Sequence, residues 1–234
     1  MHKNKNYDLI IFDCDGTLAD SEIAHNTVMM EQMHSLGLTD YTLDTTMDAF
    51  MGHSITGIAK ILDEKHSIAF EKDSHIVRQK RFAELLPDHI RMDGTTRPFV
   101  EKLHLDGQKI AVGSNGDRNN VIRTLEAAGL KEFFPDEFIF TFEDVKHPKP
   151  APDLYLHVCD AMQVKPENAI VIEDTIAGAM AGVAANIDTV GYTGLTHRED
   201  QAQRLSDIGC KFIIQSMDKL SDILNKNQSD KEVA

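Results

Sequence analysis

The chain has 234 residues, 41% of them hydrophobic, which is enough for a sizeable core and too many for a disordered chain. Its formal net charge of −14 makes it a poor non-specific partner for nucleic acid or an anionic membrane, while leaving room for an anionic substrate where a local cation or metal dominates. Cys14, Cys159 and Cys210 are odd in number and show no CxxC spacing, which fits a reducing compartment and excludes a disulfide framework and a cysteine-based zinc site.

The N-terminal MHKNKNYD lacks an apolar h-region and no apolar run is long enough to cross a bilayer, so a cytoplasmic protein is expected. Residues 7–12 (YDLIIF) form an almost continuous apolar run, the pattern of a strand buried on both faces of a parallel sheet. It ends in Asp13, Cys14, Asp15, Gly16 and Thr17. Two carboxylates one residue apart repel each other, and burying them unpaired is costly. A metal ion would offset that cost. Cys14, flanked by both, would have a raised pKa, which favours a buried and inert thiol over a nucleophile.

From residue 20 to 92 the pattern changes to helix after helix, over SEIAHNTVMMEQMHSLGL, LDTTMDAF, SITGIAKILDEKH and AFEKDSHIVRQKRFAELL, with no convincing strand. Beyond it, strand patterns return at residues 109–114, 137–141, 169–174, 188–193 and 212–215. Helical patterns lie between them. DRNNVIRTLEAAGL has a polar start and Gly129 as a C-terminal stop, and APDLYLHVCDAMQV has Pro152 near its start. Alternation of strand and helix predicts an α/β fold with a parallel sheet. The expected domains are a core of residues 1–19 and 93–234 and a helical insert of residues 20–92. The polar tail NKNQSDKEVA reads as frayed. No stretch nominates an interface, so a monomer is the default.

In open α/β sheets, ligands bind beyond the carboxyl ends of the strands. Asp13 and Asp15 follow the first strand, Ser114 and Asn115 the second, Lys149 the third after a short loop, and Glu173 and Asp174 end the fourth. Each has an ordinary alternative: turn residues before a glycine, an N-cap, a solvated lysine, acids at a helix start. Together they fit one task. Asp13 and Asp174 are hard oxygen donors suited to Mg²⁺, and Asp13 can attack phosphorus. Lys149 and a metal can offset the repulsion between carboxylate and phosphate. Ser114 can hold non-bridging oxygens, and Asp15 can act as general acid and then base.

The motifs DCDGT (13–17), SN (114–115), KPAPD (149–153) and EDTIAG (173–178) resemble, in order, those of the haloacid dehalogenase superfamily, in its group of small phosphatases and phosphomutases with a helical cap. The chain also resembles bacterial sugar-phosphate phosphatases, including the 6-phosphogluconate type. The resemblance implies a Rossmann-like core flanked by helices and a helical cap that opens and closes. It implies a Mg²⁺-dependent phosphatase acting on a small phosphorylated metabolite through an aspartyl-phosphate. Asp13 is then nucleophile and Asp15 acid/base; Ser114 and Asn115 form the phosphate site, and Lys149 orders nucleophile and phosphate. Asp13, the Asp15 carbonyl and Asp174 form the metal site, with Glu173 as ligand or support.

A phosphomutase of the β-phosphoglucomutase type is the alternative. Its caps carry a KGxxR-like stretch, and here FMGHSITG (50–57) puts Met51 and Ile55 in place of the Lys and Arg that grip a second phosphate. His53 is a weaker phosphate partner or an ordinary histidine. His25, in DSEIAHN, is a residue near the site or one member of a helical pair with Glu22. A non-catalytic regulator binding a phosphorylated metabolite is the reading from a different class; its mark would be a lost Asp13, Asp15 or Lys149, and all three are present.

Overall fold

In the computed structural model, which describes residues 7–50, 55–68, 74–196 and 198–225, the six apolar runs become six parallel strands. They are β1 (Leu9–Phe12), β2 (Lys109–Ser114), β3 (Ile139–Thr141), β4 (Ala169–Glu173), β5 (Asp188–Tyr192) and β6 (Phe212–Ile214). Their spatial order is β3-β2-β1-β4-β5-β6. The described helices are α1 (Glu22–Ser35), α2 (Leu43–Phe50), α3 (Ile55–His66), α4 (Ser74–His89), α5 (Thr96–Leu105), α6 (Arg118–Ala127), α7 (Asp153–Ala161), α8 (Ile176–Ala184), α9 (Gln201–Ile208) and α10 (Asp218–Asn225).

β1 lies between β2 and β4, with Phe12 level with Val112 on one side and Ile172 on the other. All four of its residues are buried, which is why its sequence is apolar without alternation. Leu9 and Ile11 pack with Ala111 and Val171 against Leu154, Tyr155 and Val158 of α7 and Ala181 of α8. Local chemistry sets the helix ends. Asp117 accepts the N–H groups of Asn119 and Asn120 and starts α6. Gly129, at φ +65°, ends it, with Leu130 N–H returning 2.7 Å to the Leu125 carbonyl.

The chain divides into two compact units, one of Met1–Asp20 with Arg91–Ala234 and one of Ser21–Ile90. The second holds α1 to α4 around its own core of Met29, Met33, Phe50, Ile58 and Leu62. In it the Arg81 guanidinium reaches both Glu31 carboxylate oxygens, at 2.7 and 2.8 Å, and so ties α4 to α1. The sequence pattern ends this last helix at Leu86, before Pro87, whereas α4 runs on to His89. Pro87 falls in its final turn, where the missing N–H removes a single helical bond, and Ile90 N–H still reaches the Leu86 carbonyl. In the first unit, Asp20 and Arg91 form an antiparallel bridge through both backbone N–H groups, at 2.7 and 3.1 Å, reinforced by an ion pair of their side chains.

Candidate active site

Asp13 is the first residue past β1, and its N–H still bonds the Ile172 carbonyl of β4 at 3.0 Å. The sheet therefore fixes the Asp13 backbone and sets it level with Glu173. The chain then turns tightly. Leu18 and Ala19 donate to the Cys14 carbonyl, and Gly16, at φ +85°, donates to the Ala19 carbonyl. A Cβ on Gly16 would overlap the Asp174 carboxylate, so glycine serves here both the left-handed turn and the close approach. Asp15 is half-buried on this turn. Its Oδ2 lies on the side of Gly116, 3.7 Å from where a Cβ on that glycine would stand. Ser114 is buried and its Oγ accepts the Gly116 N–H at 3.0 Å.

Lys149 is buried with its Nζ 2.6 Å from Asp13 Oδ1 and 2.6 Å from Glu173 Oε1, and 4.8 Å above the Tyr155 ring. Asn115 brackets its backbone: Nδ2 donates to the Lys149 carbonyl at 2.9 Å and Oδ1 accepts the Lys149 N–H at 3.1 Å. The side-chain amide of Asn115 thus holds the lysine segment, which leaves its backbone as the group available to a phosphate.

Glu173 is surrounded by donors. Oε1 accepts from Lys149 Nζ and, at 2.8 Å, from the Tyr155 hydroxyl. Oε2 accepts the Thr175 N–H at 3.0 Å and the Thr175 hydroxyl at 2.9 Å. Asp174 Oδ1 accepts the Thr17 hydroxyl at 3.0 Å, and the Gln201 side-chain amide donates to the Asp174 carbonyl.

Asp13, Glu173 and Asp174 bring one oxygen each within 4.8 Å of one another; the Asp15 carboxylate lies outside this trio. Burial raises the Asp13 carboxyl, which is pushed up to about 7: Lys149 pulls it down, and Glu173 and Asp15 push it further up. Asp174 is held well above the ordinary carboxylate range by burial and by the charges of Asp13 and Glu173. Burial alone would lower Lys149, but Asp13 and Glu173 outweigh it and keep the ammonium charged. One ammonium is too little for this group of carboxylates. A set of hard oxygens with excess negative charge fits Mg²⁺, which needs a few carboxylates and keeps waters and phosphate oxygens for the rest of its shell. The Cys14 thiol is buried and raised well above its ordinary value by burial, Asp15 and Asp13, as its flanking residues predict for an inert cysteine.

The residues expected at the strand ends are thus gathered at one end of β1, β2 and β4. His25 is exposed on α1 and stacks on Phe82 of α4, ring centroids 4.1 Å apart. His53 and Met51 lie outside the described residues, and Ile55 opens α3 with its side chain outside them. Sequence reasoning passed over Tyr155, Thr17 and Gln201. Tyr155 carried the one available signal, because a tyrosine on the apolar stripe of a helix needs a partner for its hydroxyl once buried.

A family model described as haloacid dehalogenase-like hydrolase matches residues 7–186. The chain is 26% identical over 191 residues to 6-phosphogluconate phosphatase of Escherichia coli K12, covering 81% of this chain and 84% of that protein. It is 31% identical over 186 residues to fructose-1-phosphate phosphatase YqaB of the same organism, covering 77% and 94%. Among solved structures, a HAD family hydrolase from Deinococcus radiodurans R1 with bound phosphate and sodium aligns with a TM-score of 0.75 and 28% identity, over 95% of this chain and 96% of that one.

Proposed function

The chain belongs to the haloacid dehalogenase-like hydrolases, and on that premise we propose that it is a Mg²⁺-dependent phosphatase of small phosphorylated metabolites, sugar phosphates first among them. The observation that carries this reading is Lys149 Nζ at 2.6 Å from Asp13 Oδ1, with Asp174 beside them. A carboxylate held by a buried ammonium, at the end of a central strand, is a nucleophile aimed by rigid elements. The named activities of the relatives, on 6-phosphogluconate and fructose 1-phosphate, support the sugar-phosphate class.

An Asp13 oxygen attacks phosphorus, and the ester oxygen leaves with a proton from Asp15. Asp15, now a carboxylate, takes a proton from water as that water attacks the aspartyl-phosphate. Inorganic phosphate leaves and Asp13 is restored. Ser114 and the backbone past it hold the non-bridging oxygens. Lys149 favours the ionised form of Asp13 and holds it in place. Asp13, Asp174 and the Asp15 carbonyl would hold Mg²⁺, which would supply neutralisation of the charge on nucleophile and phosphate. Glu173, with each oxygen already accepting two donors, serves to hold Lys149.

The test is phosphate release from a panel of sugar phosphates, 6-phosphogluconate, phosphoglycolate, nucleotides and an aryl phosphate, with Mg²⁺ and with a chelator. Metal-dependent release from one member or a few is expected. Release from none, the aryl phosphate included, would overturn the reading in favour of a mutase or a binding protein.

A further inference from the structure

We propose that Tyr155 is a positioning residue for the phosphoryl-transfer nucleophile, acting through Glu173 on Lys149; this rests on the phosphatase reading above. Lys149 Nζ lies between two carboxylates, at 2.6 Å from each. Nothing in charge alone makes the ammonium favour Asp13 over Glu173. Hydrogen bonding does. Glu173 Oε1 also accepts the Tyr155 hydroxyl at 2.8 Å, and its Oε2 accepts two donors from Thr175. A carboxylate with its lone pairs so engaged is a weaker acceptor for any one donor, and it cannot swing. Lys149 is thereby held in reach of Asp13 without being drawn away from it.

The surroundings are shaped for this clamp. Tyr155 is fully buried, 18 residues before Glu173 in sequence, and its ring lies beneath the ammonium at 4.8 Å. Gly178 leaves room for Glu173, whose carboxylate occupies the space a Cβ would take. Glu173 can therefore meet Tyr155 and Lys149 together in a single arrangement. Tyr155 itself touches no reacting atom; it aims the lysine that touches Asp13.

Tyr155→Phe keeps the ring and removes the hydroxyl. The freed Oε1 lone pair competes with Asp13 for the ammonium, so kcat falls about tenfold while KM stays within about twofold, because the loss falls on the nucleophile and not on the substrate. The second readout needs no turnover. A buried, hydrogen-bonded lysine ammonium exchanges slowly enough to give a ¹H–¹⁵N cross-peak, assigned here by its absence from Lys149→Met. That peak is expected to shift or broaden away in Tyr155→Phe. Wild-type kcat together with an unmoved ammonium peak would show that Tyr155 only fills space, and would overturn the proposal. If the wild-type chain hydrolyses no phosphate ester, the phosphatase reading fails, and the ammonium peak alone decides on the clamp. Should Tyr155→Phe not fold, 3-fluorotyrosine at position 155 strengthens the same donor. An unmoved Lys149 peak in that protein overturns the clamp, and a shifted one supports it.

Discussion

At the scale of single residues, Asp13 carries the largest expectation. Asp13→Asn keeps the shape of the side chain and removes the nucleophile, so turnover is expected to drop by about a thousandfold or more. It also removes a charge whose burial is opposed by the fold, since the Asp13 carboxyl is pushed up to about 7. The metal-free variant is therefore expected to melt no lower than the wild type. Steady-state rates and a melting curve check both halves, and near-normal activity in the variant would sink Asp13 as nucleophile. Asp13, Asp15 and Asp174 were legible because each stands within two or three residues of an apolar run, where a carboxylate has a chemical reason to be noticed, and Lys149 because it follows the third run after a short loop. Tyr155 was not. Its hydroxyl meets Glu173 through the packing of α7 on β1, β2 and β3, and no spacing along the chain encodes that meeting.

At the scale of elements, α8 shows local preference subordinated to the site. Gly178 sits inside this helix, where alanine would ordinarily add up to about 1 kcal/mol. Here its missing Cβ is the space that Glu173 occupies. Gly178→Ala is expected to lower kcat/KM at least about tenfold and to lower the melting temperature, against the propensity scale. A more stable and fully active Gly178→Ala protein would show that Glu173 has another place to go. The strands were readable because a parallel sheet buried on both faces demands apolar runs, and β1 shows that demand in Leu9, Ile10, Ile11 and Phe12. The end of α4 was misplaced because a proline normally stops a helix, and only the structure shows that Pro87 falls where one lost bond is tolerated.

At the scale of the whole molecule, the clustered acids tie stability to pH and to metal. Asp13 and Asp174 bind protons more tightly in the folded chain than in the unfolded one. The metal-free protein therefore loses stability as pH rises from the ordinary carboxyl value of 3.8 towards about 7, and Asp174 adds to the loss in the same direction. Asp93, held low by its bonds to Thr95, Met217 and Tyr192 despite partial burial, acts in the opposite sense only below that window. In a chelator the melting temperature is expected to fall by about 5 °C between about pH 5 and about pH 8, and Mg²⁺ is expected to restore it at the upper end. A flat profile, unmoved by Mg²⁺, would mean that the cluster neither resists ionisation nor binds the ion.

The bridge between Asp20 and Arg91 matters for how such a chain is made. During synthesis Leu9–Phe12 emerges long before either neighbour, Lys109–Ser114 or Ala169–Glu173, exists to cover its edges. The helical unit of Ser21–Ile90 comes between, with a core of its own. Once Asp20 and Arg91 are joined, the long gap from β1 to β2 is reduced to a short one, and most of the entropy of closing it has already been met. The helical insert is then also a splint for biosynthesis: it shortens the time for which a wholly apolar strand stands uncovered.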